Sequence, residues 1–313
     1  MDFLNITQPL VWSLAGLFGL LFIASGIVRV MTRTQPHKDY SELSQRVSSW
    51  WIMISVFSAA LLLSKNLSLL MFGLISFLAL KEYFSMIPTR RTDRRVLFWA
   101  YLAIPMQYYW VSTGWYGLFI IFIPVYMFLL LPTRMLLIGD TRKFLSSLST
   151  IHWGLMTLVF SISHVAFLMA LPDTINPSAG SAGLVLYLVF LTQFNDVAQY
   201  SWGKLFGKRK IMPSVSPNKT WAGFLGGVIT TSGLAVALAG LLTPMSLLQS
   251  AMAGLIISVA GFLGDVTISA LKRDIGVKDC GNLLPGHGGM LDRIDSLTFS
   301  APLFFHFIYY LYY

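Results

Sequence analysis

Residues 264–296 read GDVTISALKRDIGVKDCGNLLPGHGGMLDRIDS, and they hold most of the side chains able to do chemistry in this chain. On a continuing helix Asp265, Ser269, Lys272 and Gly276 fall at i, i+4, i+7 and i+11, so a carboxylate, a hydroxyl and a cation share one stripe. Four carboxylates (Asp274, Asp279, Asp292, Asp295) and four cations (Lys272, Arg273, Lys278, Arg293) follow within 25 residues. Gly286, Gly288 and Gly289 surround His287, giving a turn without bulk in which backbone amides can approach an anion. Hard carboxylate oxygens from separate segments suit Mg²⁺, alone or with a second cation, because Mg²⁺ takes few protein ligands plus water and substrate phosphate. The interleaved lysines and arginines suit polyphosphate. One cysteine and one histidine do not make a tetrahedral zinc set. A serine hydrolase is disfavoured as well: G-x-S-x-G is absent and Ser269 has no evident histidine partner.

A second polar block lies upstream, in LTQFNDVAQYSWGKLFGKRKIMPSVSPNKTWAGFLGG (191–227). Asn195, Asp196, Gln199 and Tyr200 sit in the inner part of an apolar segment, where a charge costs a few kcal/mol. Asp196, Gln199 and Tyr200 are spaced i, i+3, i+4, a face expected to line a polar site. The basic loop behind them ends in Ser216, Pro217, Asn218, Lys219 and Thr220. A lysine and a hydroxyl at a helix start, beside free N–H groups, form a phosphate cradle, although no P-loop pattern is present.

The elements that carry these residues are apolar. The chain has 313 residues, 56% hydrophobic and only 11% charged, against about 25% charged in soluble domains. Its apolar blocks suit α-helices of about 20 residues crossing roughly 30 Å of hydrocarbon. The reading is an all-α polytopic membrane protein with about ten spans, nine or eight being the smaller counts: 10–30, 48–64, 66–83, 96–113, 115–132, 151–171, 183–203, 220–242, 247–264 and 297–313. Residues 1–180 carry N-terminal spans with few ionisable groups; 181–313 carry the chemistry. The first span lacks a basic leader and a cleavage site and reads as an anchor.

Alternating the loops places every lysine and arginine on one side except Lys65, and the positive-inside rule makes that side cytoplasmic, with both termini outside. The net charge of +9 therefore reflects orientation and anionic headgroups, not nucleic acid. Lys81 and Glu82 are expected at the interface closing the third span. His152 and His164, twelve residues apart, read as packing or interfacial groups. Cys280 is the one cysteine, so no disulfide forms within the chain.

The run from Ser269 to Asp295 resembles the diagnostic pattern of phosphatidate cytidylyltransferases, also called CDP-diacylglycerol synthases: S-x-x-K-R-x4-K-D, then P-G-H-G-G, then x-x-D-R-x-D. The block from Asn195 to Thr220 is similar to the same family's upstream segment. The resemblance is close over 190–313, and before that it extends only to hydropathy and layout. One position departs: Ile268 stands where the family pattern G-D-L-x-E-S has glutamate, as in a divergent branch of synthase-like proteins, and this puts substrate choice or turnover in question.

The resemblance implies CTP + phosphatidate → CDP-diacylglycerol + pyrophosphate. Asp265 and Asp292 would then hold Mg²⁺, and Lys219, Lys272, Arg273, Lys278 and Arg293 would hold phosphates. Gly288 and Gly289 would offer amides, His287 and Asp279 would orient the turn, and Asp196 would face the same cavity. It also implies a homodimer in a bacterial inner membrane, with CTP arriving from the cytoplasm and phosphatidate from the inner leaflet. The competing expectations are a CTP-using lipid or polyprenol kinase, a cation-coupled transporter, and a relative that binds lipid or nucleotide without turnover.

Overall fold

The computed structural model describes residues 7–35, 37–88, 94–277, 280–281 and 288–313. Ten helical segments fall on the ten apolar blocks: α1 Gln8–Thr34, α2 Ser41–Leu63, α3 Lys65–Met86, α4 Arg94–Ser112, α5 Tyr116–Leu136, α6 Phe144–Ala170, α7 Gly180–Phe206, α8 Trp221–Leu242, α9 Leu247–Asp274 and α10 Leu297–Tyr312. Among the described residues, eight of these are long and apolar enough to cross a membrane. The other two are α4, which opens on Arg94 and Arg95, and α10, which has 16 residues. The protein is an all-α polytopic membrane protein. A single helical turn, Leu291–Ile294, precedes α10.

Two helices change their winding partway. In α5 the ladder widens to a π-helix over Phe122–Met127; Pro124 lies inside that stretch, and proline has no N–H to give to the α pattern. In α6 the π segment Leu155–Phe160 begins directly after Gly154, where a Cβ would lie 2.5 Å from the Tyr83 ring of α3. The aromatic centre of the bundle, Phe119, Phe160, His164 and Phe305, joins α5, α6 and α10. His164 is fully buried there and gives packing, as its spacing suggested.

Apolar burial does little to drive helices together in lipid, so close approach and polar contacts set the geometry of the C-terminal half. Asn195 of α7 donates Nδ2–H to the Ser258 carbonyl of α9 at 3.2 Å and accepts from Thr231 Oγ of α8 at 3.2 Å, clamping three helices at one level. Tyr187 donates to the Ala235 carbonyl at 2.9 Å. A side chain at Gly227 would overlap Gln199 of α7, and a Cβ at Gly254 would stand 2.6 Å from Ser232 Cα. At the end of the bundle away from the polar blocks, Lys65 pairs with Asp173 at 2.9 Å.

Between α7 and α8 the chain forms a small antiparallel hairpin, β1 Lys210–Met212 with β2 Ser216–Thr220, which the loop reading did not foresee. It delivers Thr220 as the N-cap of α8, its hydroxyl accepting from Gly223 N at 3.1 Å. That fixes Lys219, the preceding residue, at the mouth of the α7–α8–α9 group.

Gly254→Ala is expected to lower stability by about 1–3 kcal/mol, because the α8–α9 contact must open. Gly233→Ala, whose Cβ would meet nothing within 4 Å, is expected to leave stability unchanged or gain up to about 1 kcal/mol. Thermal unfolding of the two variants in detergent compares them directly.

Candidate active site

The predicted stripe on α9 forms. Ser269 Oγ donates to Asp265 Oδ1 at 3.3 Å, and Lys272 lies two turns beyond Asp265 on the same side. Each charged member of the stripe meets a partner from another segment. Asp265 Oδ2 accepts from Lys219 Nζ at 2.5 Å, and that ammonium also donates to Gln199 Oε1 at 3.3 Å. Lys272 Nζ donates to Asp292 Oδ1 at 2.9 Å. Four segments, α7, β2, α9 and the turn before α10, thus converge on two ion pairs.

A third carboxylate layer lies below. Both oxygens of Asp196 accept from Ser296 Oγ at 3.0 Å, and Ser296 N donates to Asp295 Oδ1 at 2.7 Å. Gly264 permits this approach, since any side chain there would strike the Asp295 carbonyl. Asp196, Asp265 and Asp295 are close enough to act on one another's charge, with Lys219 acting on all three. Burial alone would lower the Lys219 pKa, but the Asp265 and Asp196 carboxylates overcome it and hold it above the usual lysine value. Asp295 is pushed well above the carboxylate range, first by burial and then by Asp265 and Asp196. Lys272 also acts on Asp295, so these buried acids share more than one cation.

Asp292 behaves differently. Burial would raise its pKa, but Lys272 and the N–H groups of Cys280 and Gly289, donating to Oδ2 at 2.9 and 3.0 Å, bring it below the ordinary value. Gly288 has φ +79°, and a Cβ there would lie 2.8 Å from Asp292 Oδ2. Asp292 therefore gathers the backbone of Cys280, Gly288 and Gly289 around its carboxylate as well as pairing with Lys272.

Other predicted residues take more structural positions. Thr220 spends its hydroxyl on the α8 cap, and Ser216 opens β2. Arg273 is exposed, its Nε donating to the Val215 carbonyl at 3.3 Å, so it ties α9 to the hairpin. Tyr200 does not join Asp196 and Gln199: it is 67% exposed and turned outward, with Lys204 over its ring. Lys278, Asp279 and His287 lie outside the described residues. Ile268 is fully buried in the apolar core beside the stripe. Two donors in the cluster, Gln199 Nε2 and Arg293 Nε, are buried without an acceptor among the described residues.

Glu82, expected at the end of the third span, has a partner that sequence reasoning did not find: it accepts the Leu291 N–H at 2.8 Å. An acid on α3, 209 positions away, left no local pattern to read.

Among the described residues no three Asp, Glu, His or Cys side chains group as a preformed metal cage. The chemistry of Asp265 nevertheless fits a hard cation: it is half-buried, with one oxygen already facing an ammonium and the other a neutral hydroxyl. Asp292 has both oxygens engaged, so it would serve a metal only after releasing Lys272.

The chain belongs to the cytidylyltransferase family, whose model matches residues 44–311. It is 47% identical over 298 residues to a protein of Escherichia coli (strain K12) named Uncharacterized protein YnbB, covering 95% of this chain and 98% of that one. It is also similar to the phosphatidate cytidylyltransferase of Haemophilus influenzae, 45% identical over 132 residues, and to that of Bacillus subtilis, 43% over 128 residues. Either match covers 41% of this chain and 46% of the enzyme, so the likeness spans about half of each of these relatives.

The geometry of the turn makes a testable contrast. Gly276→Ala, with φ +74° and nothing within 4 Å, should cost only the left-handed backbone strain of about 1–2 kcal/mol. Gly288→Ala should cost more, because its Cβ meets a carboxylate held by three hydrogen bonds and unable to yield. Denaturant or thermal unfolding of both variants gives the difference.

Proposed function

We propose that this chain transfers a cytidylyl group from CTP to phosphatidate, yielding CDP-diacylglycerol and pyrophosphate for phospholipid synthesis. A phosphate oxygen of phosphatidate, already ionised at neutral pH, attacks the α-phosphorus of CTP. The new P–O bond forms as the bond to the β-phosphate oxygen breaks, and no proton need be removed from the nucleophile. The obstacles are bringing two polyanions together and stabilising charge on the leaving pyrophosphate.

The observation that carries the reading is the convergence of the Lys219–Asp265 and Lys272–Asp292 pairs on one stripe of α9. Each lysine is held ready by a carboxylate it can exchange for phosphate. The buried, unmatched N–H groups of Arg293 and Gln199 add donors to the same cluster. Asp265, joined by Asp292, would hold Mg²⁺, which when bound neutralises phosphate charge. Support for a lipid substrate comes from an apolar cavity between Leu17, Trp50, Phe57 and the α7 residues Phe190 and Gln193, the last of which donates to the Arg293 carbonyl at 3.4 Å. The charge asymmetry of the loops supports a site facing the cytoplasm, in a bacterial inner membrane. The reading includes a homodimer, as the family resemblance implies.

The purified chain in liposomes containing phosphatidate, supplied with CTP and Mg²⁺, is expected to release pyrophosphate and form a CDP-lipid. Release of CDP with a phosphorylated lipid would replace this reading with a kinase, and nucleotide binding without product would replace it with a non-catalytic one. Asp292→Asn, which removes the Lys272 ion pair, is expected to abolish the Mg²⁺-dependent signal; unchanged turnover would remove Asp292 from the site.

A further inference from the structure

Glu82 stands near the end of α3, in the half of the chain that sequence reading left without chemistry, yet its carboxylate lies on the glycine turn. Oε2 accepts the Leu291 N–H at 2.8 Å. A Cβ at Gly281 would sit 2.6 Å from Oε1, and one at Gly289 would sit 2.5 Å from both oxygens. The two glycines are therefore the floor on which this carboxylate rests. Asp292 grips the same turn through the amides of Cys280 and Gly289. The two acids divide three amides between them: Asp292 takes those of 280 and 289, and Glu82 takes that of 291. Leu291 immediately precedes Asp292, so the Glu82 bond fixes the backbone from which Asp292 reaches Lys272.

We propose that Glu82 is a positioning residue of the transfer site, an anchor from α3 that sets the backbone of Gly289 and Leu291 and thereby the Asp292–Lys272 pair. Its action is through hydrogen bonding and shape, not through contact with substrate. The consequence for catalysis rests on the cytidylyl-transfer reading above; the consequence for the turn does not.

Cys280 allows the two to be separated. It is the one cysteine of the chain, it is 5% exposed, and its N–H is one of the bonds the turn depends on. In the full-length protein in detergent, maleimide labelling of Cys280 is measured beside pyrophosphate release for the wild type, Glu82→Ala and Glu82→Gln, below the melting temperature of each. Loss of a hydrogen bond to a charged acceptor is expected to speed labelling about tenfold in Glu82→Ala and to lower kcat by about the same factor. Glu82→Gln keeps an acceptor oxygen and the same shape, so both values should stay within about threefold of wild type. Should Glu82→Ala not fold, Glu82→Asp, which withdraws the oxygens by one methylene, reports in its place.

Labelling of Glu82→Ala as slow as wild type would overturn the proposal. So would a Glu82→Gln variant as impaired as Glu82→Ala, since the charge itself would then be at work. A wild type that releases no pyrophosphate defeats the transfer reading alone, and the labelling rates still decide the role of Glu82.

Discussion

The structure depends on one constraint: a charge drawn into the edge of a bilayer must find an opposite charge or a set of donors. Removing one partner of a buried pair costs about 3–5 kcal/mol because the other is left uncompensated. Lys219, between Asp265 and the Asp196 and Asp295 carboxylates, and Lys272, on Asp292, meet that constraint. The hairpin, the α8 cap and the turn before α10 can be understood as the means by which these partners from distant segments reach one another.

Hydrogen bonds between helices fix where that cluster sits. Asn195 holds α7, α8 and α9 at one level, one residue before Asp196. Gly264, one residue before Asp265, lets α9 rest against the Asp295 backbone. Structural and chemical residues alternate along the chain, so each contact that packs the helices also aims the next side chain.

Much of this was legible in the sequence, for physical reasons. Apolar blocks of about 20 residues have few alternatives in lipid, and all ten found a helical segment. The Asp265–Ser269–Lys272 stripe followed from helical period alone, and a helix start was placed at Thr220, whose hydroxyl was read as part of a phosphate cradle and caps α8. What failed was what period cannot carry. Tyr200 shares a nominal face with Asp196 but turns to the outside, because it lies about 100° round the helix from Gln199, on the side of Asp196 away from the cluster. The β1–β2 hairpin is too short to leave an alternating pattern. The bond of Glu82 to Leu291 was not legible because the partner lies 209 residues along the chain.

That distance has a consequence for how the protein is made. Glu82 and Leu291 are 209 residues apart, and at ribosomal speeds of about 5–20 residues per second the acid waits about 10–40 s for its amide. Throughout that interval α3 carries a carboxylate with no Leu291 amide to meet it. Assembly of this polar cluster is thereby deferred until residue 291 has been made, and a nascent chain halted before Leu291 leaves the Glu82 carboxylate without that partner.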